Sequence, residues 1–205
     1  MMVAKLSKGQ KAVLQGTQNT QSNAWCIGVS WQFKPESLLQ KLPDHQTLDV
    51  SLGLFDENKR LIDCVYYGKL GSKCGAITHV QGYWVDQNNQ NMKLDQGVLQ
   101  FDLTKLPAQA VQAAFILSSY EGYRLQGLNS IQARVYEPAS HTAHKDFIQF
   151  DTSLDESFQD SASIIMARMY RIDKKWMFEP LIKPIAQAKV NQVFDHFASS
   201  YFYSS

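Results

Sequence analysis

Neither sign of charge predominates in this sequence: 20 Lys and Arg stand against 19 Asp and Glu, a net charge of +1. A phosphate backbone or an acidic membrane surface finds no excess of positive charge here, so nucleic acid is not expected as a partner. Long apolar runs are missing as well. No window approaches the ~20 apolar residues of a membrane-spanning helix. The opening Met1-Met2-Val3-Ala4-Lys5-Leu6-Ser7-Lys8-Gly9 has no apolar run long enough for a signal peptide, so a cytoplasmic location is expected. Cysteine is scarce. Cys26, Cys64 and Cys74 are odd in number and show no C-x-x-C spacing; Cys26 and Cys64 lie in apolar runs and read as reduced core thiols. Catalytic signatures are absent too. There is no G-x-S-x-G elbow and no phosphate-cradling glycine loop. Cys74 and His79 are near in sequence, but no third group is in place to orient them. An enzyme is therefore not expected.

What is present is strand patterning. With 205 residues the chain suits a single domain, or one domain with an appendage, burying roughly 70% of its unfolded surface. The stretch from Thr47 to Asp56 organises the rest: Leu48, Val50, Leu52 and Leu54 recur every second residue, with Asp49, Ser51 and Gly53 between them. That is the period of a strand with one face on a core, and it sets the Asp49 carboxylate among small residues on the other face. Trp25, Ile27, Val29 and Trp31 alternate in the same way. So do residues 61–70, Leu99 to Leu103, and Ile131 to Val135. Ala113 to Leu117 is a continuous apolar run, expected to be a strand covered on both faces. Phe147 to Phe150, Ile164 to Tyr170 and Trp176 to Leu181 follow, the last two joined by the turn Ile172-Asp173-Lys174-Lys175. Short strands with frequent turns point to a mainly antiparallel β architecture.

Three regions break the pattern. Phe33 to Gln46 holds Pro35 and Pro43 and reads as a connection with a helical turn at Glu36 to Gln40. Gly71 to Gly97, rich in Gly, Gln and Asn, reads as a long irregular loop, the kind of segment that carries sites. At the end, Ala186, Val190, Val193, Phe194, Phe197 and Tyr201 fall at offsets of three and four, with Pro184 near the N-terminal end of the helix they imply. That helix is expected to cover an end of the sheets, or else to meet a partner. His141, His144 and Asp146 lie close together, but without further ligands at fixed spacing they read as a solvated hairpin loop rather than a metal site. Asp151, Asp155, Glu156 and Asp160 read as an exposed acidic loop.

Taken in order, several motifs resemble the TerD-type tellurium-resistance and stress-protein family over nearly all of residues 3–182. Leu6-Ser7-Lys8-Gly9 followed by Val13-Leu14 looks like the family's start, and Gly28-Val29-Ser30-Trp31 like its Gly-Leu-Gly-Trp strand. The stretch around Asp49 is similar to its Asp-Leu-Asp-Ala-Ser motif. Tyr66-Tyr67-Gly68-Lys69-Leu70 stands where the family has Phe-Tyr-Asn-Gln-Leu, and Gly75 with His79 matches its Gly-x-x-x-His turn. Asp102-Leu103-Thr104-Lys105-Leu106-Pro107 is close to Asp-Leu-Ser-Lys-Val-Pro. Met169-Tyr170-Arg171 and Lys175-Trp176-Met177-Phe178 resemble the family's closing hairpin.

The resemblance implies an all-β fold, an antiparallel β-sandwich of two sheets with short helices over residues 1–182, to which the helical spacing of the tail adds a C-terminal amphipathic helix over 183–205. It also implies a non-enzymatic role in tellurium resistance and stress response, with other proteins of a stress-response system as partners, and calcium held by acidic loops at one end. The implied metal ligands are Asp49, Asp86 and Asp95. Calcium takes about 6–8 oxygen ligands, and this chain departs from the acidic pattern. Thr47 replaces the first Asp of the strand motif, Gln96 and Gly97 replace the last two acids of the loop, Lys93 sits where another Asp belongs, and Tyr120-Glu121 occupies the place of a His-Asp pair. Losing those carboxylates and adding a lysine removes most of the attraction for a divalent cation, so tight calcium binding is not expected. A metal-free scaffold acting through the C-terminal helix is the alternative.

Overall fold

The computed structural model describes residues 4–14, 23–33, 48–80, 95–119, 122–138, 146–153 and 156–204. The expected helical turn at Glu36 to Gln40, the pair His141 and His144, and Asp86 lie outside these residues. Within them the chain forms β1 (Ala4–Lys5), β2 (Ala12–Leu14), β3 (Ala24–Phe33), β4 (Leu48–Phe55), β5 (Leu61–Val65), β6 (Ile77–Val80) and β7 (Gly97–Asp102). Then come β8 (Gln112–Ser119), β9 (Leu128–Tyr136), β10 (Asp146–Ser153), a short 3-10 turn at Glu156–Phe158, β11 (Ser163–Ile172), β12 (Lys175–Ile185) and α1 (Val190–Ser200).

Two six-stranded sheets result, in the orders β1-β10-β9-β3-β7-β6 and β2-β12-β11-β8-β4-β5. Every pairing is antiparallel except that of β1, which runs parallel to β10. The alternation read around Asp49 is real: Leu48, Val50, Leu52 and Leu54 all enter the core between the sheets, together with Trp25, Ile27 and Val29 of β3. Four phenylalanines knit that core across both layers. Phe101 of β7 meets Phe115 of β8 at 5.5 Å, Phe115 meets Phe178 of β12 at 5.8 Å, and Phe178 meets Phe150 of β10 at 5.8 Å. Offset or tilted ring pairs at such separations add to the area they bury.

The second sheet has an apolar outer face as well. Phe55, Ala114, Ile116 and Ile165 lie on it and are covered by Val193, Phe194 and Phe197 of α1. This explains why β8 is buried along its whole length. Gly53 lets the helix come close, since a Cβ there would stand 2.7 Å from the Phe194 ring.

Three sequence expectations are revised. The stretch 71–97 is not one irregular loop, because β6 occupies Ile77–Val80 in its middle. Alternation alone suggested a strand to residue 70, whereas β5 stops at Val65 and the chain turns through a Tyr66–Lys69 bridge. Pro184 belongs to β12, opposite Ile164, and the helix begins only at Val190. Both prolines of β12 sit where β2, which pairs only Trp176 to Phe178, has already ended, so neither removes a ladder hydrogen bond to that strand.

Candidate functional site

Asp49 alternates with core residues of β4 and therefore faces the outer side of its sheet, the side that α1 covers farther along. Its Oδ2 accepts the Tyr67 N–H at 3.1 Å. Its Oδ1 lies 2.8 Å from Nε2 of His79, which belongs to the other sheet. The carboxylate can only accept, so this nitrogen carries the proton. The link is possible because the chain, on leaving β5, crosses from one sheet to the other: Gly71 bridges Thr78, and the His79 N–H donates to Leu70 O at 2.8 Å. His79 is buried, and its Nδ1 has no partner among the described residues.

Beside this pair lies a cavity of about 570 Å³. One side is formed by Asp49, Ser51, Tyr66 and Tyr67, the other by Ala188, Lys189, Val190 and Asn191 at the start of α1, with Ser118, Ser119 and Gly122 between. The hydroxyls of Ser51, Ser118 and Ser119 are buried without a partner among the described residues. A small-molecule site is concave and largely apolar with a few convergent polar groups, and this cavity has that character.

Asp95 has a different setting. Its carboxylate sits on the outer face of the first sheet against Gly28, where a Cβ would come within 2.1 Å of Oδ2. The Arg134 guanidinium grips it through Nε at 3.0 Å to each oxygen and Nη2 at 2.7 Å, and the Tyr136 hydroxyl donates to Oδ2 at 3.3 Å. Its side chain is 7% exposed. This fork is the strong form of a charge-assisted hydrogen bond. Burial is the largest influence on neighbouring Cys26, pushing its thiol up to about 12; Asp95 adds to the shift and Arg134 opposes it. Tyr136 is raised as well, chiefly by burial, then by Cys26 and Asp95.

The structure thus pairs Asp49 with His79 and Asp95 with Arg134, on outer faces of different sheets, and it does not bring the two carboxylates to a shared partner. Among the described residues no group of three or more His, Cys, Asp or Glu is placed to hold a metal ion. Calcium, with its demand for about 6–8 oxygens, is not fitted by the described residues alone. Cys74 and His79 likewise have separate partners: Cys74 is exposed, with Sγ 3.4 Å from Ser72 Oγ, while His79 holds Asp49. Of the acidic run, Asp160 is ion-paired with Arg124.

Sequence reasoning singled out Asp49 and His79 but missed Ser118, Ser119 and Lys189. The available signal was weak: small residues at 51 and 53 on the Asp49 face left room for something to pack there.

Known proteins share this fold. The model of the TerD domain matches residues 2–197. The tellurium resistance protein TerZ of Serratia marcescens is 25% identical over 159 residues, 76% of this chain and 77% of that protein. The crystal structure of SAV2460, a protein of unknown function, superposes with a TM-score of 0.55 at 16% identity, covering 85% of this chain and 94% of that one. A homologue of the telluride resistance protein TerD, SCO6318 from Streptomyces coelicolor A3(2), gives a TM-score of 0.55 at 15% identity, covering 87% and 96%. At such identities the two solved structures speak for the shared fold alone.

Proposed function

Since the chain belongs to the TerD domain family, we propose that it is a non-enzymatic binding module of the tellurium-resistance and stress-response type, whose calcium-binding rim has degenerated and whose working surface is the cavity at Asp49. The observation that carries this reading is a pocket of about 570 Å³ whose buried serine hydroxyls meet no group among the described residues. A site with unmatched polar atoms in a concave wall suits recognition of a ligand, because the ligand supplies what the protein leaves open. The degeneration is supported by Asp95, whose two oxygens are held by Arg134. Calcium at Asp49 is then at most weak, completed by backbone carbonyls and water.

We place the module in the cytoplasm among other proteins of a stress-response system. No helix among the described residues is long and apolar enough to cross a membrane. The alternative reading, a metal-free scaffold acting through the C-terminal helix, has less support: Val193, Phe194 and Phe197 carry the apolar stripe of α1 and are 0–1% exposed against the sheet.

The test is a screen of small polar compounds against the ¹⁵N-labelled chain. Binding that shifts the amides of Tyr67, Ser118 and Asn191 supports the reading, and a screen that never perturbs them removes it. In parallel, millimolar calcium should move the melting temperature by no more than the ~2–4 °C that one kcal/mol gives a domain of this size. A rise beyond about 10 °C would show an intact calcium site.

A further inference from the structure

The cavity has opposite electrical character on its two sides. The strand order runs β11-β8-β4-β5 across this part of the sheet. On the β4–β5 side stand Asp49 and the rings of Tyr66 and Tyr67, whose centroids are 5.5 Å apart with planes at 82°. Two perpendicular rings beside a carboxylate are what an ammonium group prefers, combining ion pairing with attraction to the ring faces. Asp49 uses one oxygen for His79 and the other for the Tyr67 N–H. A carboxylate has about four acceptor sites, so about two remain.

The β11 side has the reverse polarity. Ser163 of β11 donates its hydroxyl to Gln187 O at 2.8 Å, which anchors the segment leading into α1 over that strand. The first helical hydrogen bond is Val193 N–H to Lys189 O, so the N–H groups of Val190, Asn191 and Gln192 have no helical acceptor. Lys189, in extended conformation, provides no side-chain cap, and the first turn holds no acidic residue. Among the described residues no carboxylate is paired with the Lys189 ammonium or with the positive end of the helix, so both suit an anion.

Beside Asp49 on β4 lies Ser51, 2% exposed, and between the two sides lies Ser118, 7% exposed, both without a partner among the described residues. Ser118 pairs directly with Asp49 across β4 and β8, and its neighbour on β11 is Ser163. Both serines alternate with core residues and so face the cavity.

We propose that this cavity binds a small zwitterion, with its ammonium group between Asp49 and the Tyr66 and Tyr67 rings and its carboxylate at the start of α1 beside Lys189. The proposal rests on the binding-module reading and names its ligand class. A simple anion meets the Asp49 charge and a simple cation meets Lys189 and the helix end; a dipolar ligand is matched at both. Asp49 and Lys189 are the charged residues among the described lining. Ser51, on the same strand as Asp49, can accept from the ammonium group, and the Ser118 hydroxyl can donate to the carboxylate. The volume lies within the roughly 300–1,000 Å³ of small-molecule sites.

The experiment titrates the full chain, ¹⁵N-labelled, with glycine, 4-aminobutyrate and 6-aminohexanoate, and with butyrate and butylammonium as singly charged controls. At least one amino acid of the series should shift the amides of both Tyr67 and Asn191, with an affinity tenfold or more above either control. Asp49→Asn and Lys189→Gln should each bring that affinity down to the level of the controls; Lys189 is exposed, so its variant leaves the fold untouched. Butyrate or butylammonium binding as well as the zwitterions would overturn the charge pairing while leaving the cavity as a binding site. No shift at these amides with any compound here or in the wider screen would overturn both.

Discussion

The side-chain amide of Gln112 holds Tyr203 by both of its backbone groups: Nε2 donates to Tyr203 O at 2.6 Å, and Oε1 accepts the Tyr203 N–H at 2.9 Å. One buried glutamine thus gives the tail the pair of bonds that a neighbouring strand would. Arg168 Nη1 donates to Tyr201 O at 2.7 Å, and the Tyr203 ring stacks on Tyr170 with centroids 4.0 Å apart. The segment after α1 is a clasp that keeps the helix on the sheet.

Gln112→Ala should therefore destabilise the protein by about 1–3 kcal/mol, because it strands two polar groups and loosens the tail. Calorimetry should record a melting temperature lower by several degrees, and accelerated amide exchange should appear in Val193 to Phe197. Unchanged exchange in α1 would show that the clasp does not hold the helix.

Gly53 and Phe194 should behave as a coupled pair. A Cβ at 53 would lie 2.7 Å from the ring, and the ring is 1% exposed with nowhere to move. Gly53→Ala is expected to destabilise by about 1–3 kcal/mol through overpacking. In Phe194→Leu the same change should be much milder. Additive effects in urea unfolding would remove the proposed contact.

Arg134→Met leaves the Asp95 carboxylate buried without its fork and should destabilise by about 3–5 kcal/mol, whereas adding Asp95→Asn should recover part of the loss. Because the pair is shielded from solvent, raising the salt to about 1 M should change the wild-type stability little at this site. A single variant as stable as the wild type would mean that the fork is ornamental.

The thiols should separate by pH. Cys74 is exposed and should react at once with a disulfide reagent in mildly alkaline buffer, Cys64 more slowly, and Cys26 only as the protein unfolds. Burial raises the Cys26 thiol from 9.0 to about 12, so the folded state keeps its proton where the unfolded chain releases it. That contribution to stability is complete below 9.0 and declines as pH rises from there towards about 12. Cys26→Ala should flatten this decline relative to the wild type, and identical slopes in the two proteins would contradict it.

The strands were legible where burial has a period. Leu48 to Leu54 alternates because one side of β4 faces a core made by the other sheet, and Ala113 to Leu117 is apolar throughout because α1 covers its second side. The helix could be read from its own stripe, Val190 to Phe197, although Pro184 suggested too early a start. β6 escaped notice because its few residues, Ile77 to Val80, are too short a run to show a period. The family resemblance reached the site at Asp49 through local motifs.

By itself, then, the sequence determined which residues turn inward, since alternation and helical spacing are local properties of the chain. Only the tertiary structure decided who meets whom. That His79 of one sheet reaches Asp49 of the other, that Arg134 holds Asp95, and that Lys189 and the two tyrosines line one cavity all depend on register and packing between segments far apart in the chain. Such contacts arise from the way two sheets and a helix settle to bury their apolar faces, and no short stretch of residues encodes them.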